Sequence, residues 1–175
     1  MRCAKRLVVV VLAALLPLAV AYAQQDKVFQ SEKLKYSFHY SSDYKLQTTG
    51  DLTYVVSPRK DKKNGFAANV NVAAKFVGKL SLKDVYESGK KDLAASLGNA
   101  SVIEDKKDKV AGLDAYRLVY TSHQNKAQFK LCQLMIKSSS GLVYVITFTA
   151  LPDQYDREMS IFQTIVKSFK ITGSL

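Results

Sequence analysis

The chain is 175 residues long, 47% hydrophobic and 23% charged, with 8 Gly, 3 Pro, 2 Cys and a formal net charge of +11. This composition excludes a disordered chain, a collagen-like repeat and a disulfide scaffold, and the length leaves no room for a second full-sized domain. No residue pattern names a reaction.

Arg2, Lys5 and Arg6 precede an apolar run over 7–20 that only Pro17 interrupts, and Ala21, Tyr22 and Ala23 form a small-x-small cleavage site. Residues 1–23 are therefore expected to be an export signal, and 24–175 a single domain that works in the periplasm or outside the cell. The alternative is an uncleaved anchor, but the run falls short of the roughly 20 apolar residues a bilayer requires. Cys3 lies before the apolar run, so it is not placed for lipid attachment. Its removal leaves Cys132 alone and excludes an intrachain disulfide. The processed chain is expected to be a monomer without a transmembrane helix. Losing three positive charges with the signal takes the net charge from +11 to +8.

Along the remaining chain, Tyr36, Phe38 and Tyr40 alternate with Ser37 and His39, the period of a strand with one buried face. A short strand over 45–49 follows the turn at 41–43. Leu52, Tyr54 and Val56 alternate in the next strand, which is expected to stop at Pro58 because proline has no donor for the ladder. A charged loop over 59–65 ends in Asn64 and Gly65. Beyond it Ala68, Val70, Val72, Ala74 and Phe76 share one strand face. These two strands are expected to form a hairpin with a basic tip, Arg59, Lys60, Lys62 and Lys63. Such a run is either a solvated face or a footprint for an anionic partner.

Ser81 followed by Asp84 is a capping pattern, and Leu82, Val85, Tyr86, Leu93 and Leu97 recur at helical spacing, which predicts a helix over 81–97. Val102 and Ile103 open a strand that turns charged through 104–109 and so belongs at an edge. Strands over 113–122, 127–137 and 142–150 follow as an antiparallel meander. The last two are apolar on both faces, which requires cover on both sides of the sheet. Tyr155, Met159, Phe162, Val166 and Phe169 then mark the core stripe of a helix over 153–169.

Several of these segments together resemble the PsbP-like group, which takes in the photosystem II protein PsbP, bacterial PsbP-related and DcrB-like proteins, and the eukaryotic Ran-binding Mog proteins. They are Tyr36, Ser37 and Phe38 with the polar turn after Tyr40; Asn69, Val70, Asn71 and Val72; Ser81 to Asp84; Gly112 to Ala115; Tyr144 to Ala150; and Ile165 to Lys170. The resemblance implies an α+β fold, an α/β/α sandwich around a mainly antiparallel sheet, acting as a docking module. Where the group usually has Pro-x-x-Trp after the first strand, this chain has Ser41, Ser42, Asp43 and Tyr44, and it has no Trp at all, which points away from photosynthesis.

No chemistry competes with that reading. His39 lies on the polar side of a strand and His123 in a turn, and neither belongs to a zinc or calcium motif. No G-x-S-x-G occurs. Cys132 sits inside an apolar strand, where a free thiol is more often packing than chemistry. No cofactor or catalytic residue is expected. The expected function is an exported, non-catalytic binding or assembly module for a protein or envelope partner. The alternatives are an envelope factor that binds anionic lipid or polymer through the basic tip, and a small hydrolase. Export argues against nucleic acid.

Overall fold

A computed structural model describes residues 26–96, 100–124 and 127–173. The expected export signal and Leu97, the expected end of the first helix, lie outside the described residues. In chain order the elements are β1 (Asp26–Ser31), β2 (Tyr36–Ser41), β3 (Lys45–Thr49), β4 (Leu52–Lys60), β5 (Ala67–Phe76), α1 (Leu82–Ser96), β6 (Ser101–Val110), β7 (Leu113–Gln124), β8 (Ala127–Lys137), β9 (Leu142–Ala150), α2 (Pro152–Ser168) and β10 (Lys170–Ile171).

Short connections between alternating strands favour antiparallel neighbours, and the main sheet is built that way. Seven strands pair in the order β3-β4-β5-β9-β8-β7-β6. The β3–β5 meander and the β6–β9 meander join where β5 pairs with β9, Val70 opposite Phe148 and Phe76 opposite Leu142. A second sheet, β1-β2-β10, lies apart from it.

Strand alternation distributes the apolar side chains to two cores. Cys132, Leu134, Ile136, Tyr144, Ile146 and Phe148 meet Phe162 and Ile165 of α2 together with the small sheet. From the opposite face Leu118, Tyr120, Met135 and Val143 meet Tyr86 of α1. Both faces of the central strands are therefore covered, which accounts for their two-sided apolar pattern. The fold is α+β and mostly antiparallel, as expected.

Local signals explain the helix ends. Ser81 Oγ accepts the Asp84 N–H at 3.1 Å and donates to Asp84 Oδ2 at 2.6 Å, which satisfies one orphan donor of α1. α2 begins with Pro152, whose missing N–H has no intrahelical partner to lose. It ends where Phe169 turns extended, and the Phe169 ring stacks on Tyr36 with centroids 5.6 Å apart.

Two expectations need correction. β4 does not stop at Pro58 but continues to Lys60, because a register shift between Val56 and Lys60 takes the proline out of the ladder. Phe76 is not buried with Ala68, Val70 and Val72, because β5 outruns its cover there. The strand with Tyr36 belongs to the small sheet, tied to β4 by Tyr36 Oη donating to Thr53 Oγ1 at 2.8 Å. Among the described residues no helix is long and apolar enough to cross a membrane.

Candidate functional site

The β4–β5 hairpin is the expected site. Its tip is an ordered turn. Asp61 N–H donates to the Phe66 carbonyl at 2.7 Å and Gly65 N–H to the Asp61 carbonyl at 2.9 Å. The Asp61 carboxylate accepts the N–H groups of Lys63 and Asn64 at 3.0 and 2.9 Å, and Asn64 Oδ1 accepts that of Phe66 at 2.9 Å. Short polar side chains that bond their own backbone in this way fix a turn locally. Gly65 supplies the positive φ of 71° that the turn requires.

The four basic residues divide within this frame. Lys60, Lys62 and Lys63 are exposed. None of the ion pairs among the described residues involves them. Arg59 instead folds back onto α2. Its Nε lies 2.6 Å and its Nη2 2.9 Å from the two oxygens of Glu158, and Nη2 also donates to Tyr44 Oη at 3.2 Å. Glu158 is 1% exposed and additionally accepts Ser57 Oγ at 3.0 Å. Hydrogen bonds from Arg59 hold the Glu158 carboxyl below its ordinary range, against burial, which pushes it up. Arg59 is thus a structural cation, and the surface charge of the tip comes from the three lysines.

Sequence reasoning missed Glu158. Gln154, Glu158, Ile161 and Ile165 follow at helical spacing, and all four are buried. A carboxylate on a buried stripe requires a cation, and that was the signal to search for one.

The other candidates stay apart from one another. His39 is half-buried in β2, its backbone N–H donating to Ser168 Oγ at 2.8 Å, while His123 is exposed near the end of β7. Cys132 is buried, and burial pushes its thiol pKa up although Arg117 Nη1 stands 3.7 Å from Sγ. Among the described residues no group of three or more His, Cys, Asp or Glu is placed to hold a metal ion.

A family model described as PsbP-like protein matches residues 22–171. No curated protein matches the sequence. Similar solved structures include LpqN of Mycobacterium tuberculosis, described as involved in cell envelope biogenesis, at 15% identity and a TM-score of 0.63, covering 85% of this chain and 91% of that one. Cyanobacterial PsbP from Synechocystis sp. PCC 6803 is similar at 17% identity and a TM-score of 0.61, covering 90% and 98%. The Saccharomyces cerevisiae Ran-binding protein Mog1p aligns at 12% identity and a TM-score of 0.59, covering 86% and 97%. At these identities the likeness concerns the fold.

Proposed function

The chain belongs to the PsbP-like protein family, and on that premise we propose that it is an exported, non-catalytic docking module that engages an anionic partner through Lys60, Lys62 and Lys63. The observation that carries this reading is the division at the hairpin tip. Four basic residues lie within five positions, yet the fold neutralises Arg59 internally and leaves the three lysines on an ordered turn. Ordering the presenting loop in advance lowers the entropy lost on binding. A relative of the same fold is named for binding Ran, which supports a binding role, and another is described as involved in cell envelope biogenesis, which fits an envelope setting.

Export rests on the pattern of residues 1–23; the basic charge of the domain favours an anionic partner, and export makes that an acidic protein or an envelope polymer rather than nucleic acid. The test is replacement of Lys60, Lys62 and Lys63 by Glu with Arg59 left in place. Capture of partners from envelope extract is expected to fall and to lose much of its salt dependence. The melting temperature is expected to move by no more than about 6 °C, since three exposed substitutions at roughly ±0.5 kcal/mol each sum to at most about 1.5 kcal/mol. Unchanged capture with unchanged salt dependence would refute the proposal.

A further inference from the structure

β5 runs ten residues from the hairpin tip to Phe76, about 30 Å at roughly 3.3 Å per residue. At that far end Phe76 is 64% exposed and Leu80, just before α1, is 57% exposed. Both line a groove of about 810 Å³ with Val77, Val85, Gly89 and Met135. Its size lies in the range of ordinary binding clefts, and exposed apolar side chains gathered in one place mark an interaction site more often than scattered ones do.

Two details show that the groove is built rather than incidental. The Phe76 ring is seated by glycines. Gly78 turns the chain with a φ of +61°, and a Cβ on Gly141 would lie 2.9 Å from the Gly78 carbonyl oxygen and 3.1 Å from Phe76 Cε2. Val77 N–H closes this contact by donating to the Gly141 carbonyl at 2.9 Å. The opposite wall carries Gly89 in the middle of α1, where glycine is unfavourable relative to alanine. A Cβ there would meet only Met135 Cε, at an ordinary 3.7 Å, so no contact within the described residues demands a glycine. The missing side chain keeps the groove open.

Charge selects the occupant. Asp84, Ser88 and Asp92 line the helix wall at successive four-residue steps, and Lys75 is the single basic residue in the lining. A chain with a net charge of +11 therefore presents, at this place, an apolar floor beside a wall that bears carboxylates.

We propose that this groove docks a cationic amphipathic segment of a partner protein, with the segment's apolar side chains on Phe76, Leu80 and Met135 and its Lys or Arg side chains toward Asp84 and Asp92. This is the helix-in-groove mode of peptide recognition. It uses a different surface from the lysine tip, so either site can fail without the other.

The test uses two labelled model helices of one amphipathic pattern, one of Leu and Lys and one of Leu and Glu, titrated with the protein by fluorescence anisotropy. Overall charge favours the Leu/Glu helix, so a preference for Leu/Lys requires the local acidic wall. Saturable binding of the Leu/Lys helix is expected, weakened at least tenfold by Phe76→Ser and by Gly89→Leu, which fills the groove. Phe76 is already exposed and leucine favours a helix, and circular dichroism checks that both variants fold. If Gly89→Leu does not fold, Phe76→Ser decides alone. No saturable binding of the Leu/Lys helix, Leu/Lys binding that Phe76→Ser leaves unchanged, or a preference for Leu/Glu that persists in the lysine-tip variant and is lost in Phe76→Ser would overturn the proposal.

Discussion

Replacing Arg59 with Met removes the main counter-ion of a buried carboxylate while keeping most of the aliphatic stem. In the native fold Glu158 accepts Arg59 Nε at 2.6 Å, Nη2 at 2.9 Å and Ser57 Oγ at 3.0 Å, with Arg157 Nε 3.4 Å away. Stranding one member of a buried pair costs about 3–5 kcal/mol, and because Ser57 and Arg157 stay in place the low end, about 3 kcal/mol at pH 7, is expected. Glu158→Gln is the milder change. It leaves the half-exposed Arg59 free to re-solvate and retains an acceptor oxygen, so the expected cost is about 1–2 kcal/mol. An ordinary surface ion pair would give less than about 1 kcal/mol in both variants. The pH dependence follows from the sign of the shift. Arg59 depresses the Glu158 carboxyl below its ordinary value of 4.5. The pairing therefore stabilises the fold above that value, and the contribution is lost as pH falls through the folded pKa. In Arg59→Met burial dominates and raises the carboxyl, so protonation in acid relieves the variant. The stability gap between wild type and variant should be full at pH 7, start to narrow above about pH 4.5 as the raised carboxyl of the variant takes up its proton, and narrow further as pH falls through the depressed folded pKa of the wild type. Urea unfolding followed by circular dichroism at pH 7 and pH 4 measures it. Equal costs for the two substitutions, or a gap that widens in acid, would refute the reasoning.

Phe162→Ala is expected to cost about 3–5 kcal/mol in the same assay, because the ring is buried between α2 and the sheet, 6.0 Å from Phe148; a loss under about 1 kcal/mol would contradict that packing. Cys132 is expected to resist a thiol reagent until the protein unfolds, since it is buried and burial raises its pKa; modification faster than unfolding would show otherwise. A reducing agent should leave the melting temperature unchanged. Intact mass of the exported protein is expected to begin at Gln24, and retention of residues 1–23 would overturn the export reading.

The meander and the two helices are legible in the sequence from local signals alone, a period of 3.6 for α1 and α2, and for β7 to β9 short apolar-rich runs separated by polar turn residues. β1 and β10 carry no such signal. β1 is largely exposed and β10 is only two residues long, and both are strands solely because they pair with β2, Phe29 opposite Phe38 and Lys170 opposite Ser37. The second of those partners is more than a hundred residues away, beyond the reach of any window. Phe76 shows the converse error. Its period matches the buried face of β5, but period gives the direction of a side chain and not whether another element lies above it.

At the tip the charges are visible in the sequence and their division is not. Arg59 and Lys60 are neighbours in a charged run, so composition treats them alike. What separates them is a carboxylate ninety-nine positions away. Glu158 could have been flagged from its buried helical stripe, whereas its pairing with Arg59 depends on the packing of α2 against β4, where Ser57 and Arg59, two residues apart on one strand, meet the same carboxylate. That pairing has a consequence for docking. The Arg59 pair clamps the end of β4 to α2, and Asp61 and Asn64 fix the turn beyond it. The three remaining lysines therefore project from a braced platform, so a partner docking there as proposed would order lysine side chains and not the hairpin backbone, which lowers the conformational part of the entropy cost of binding.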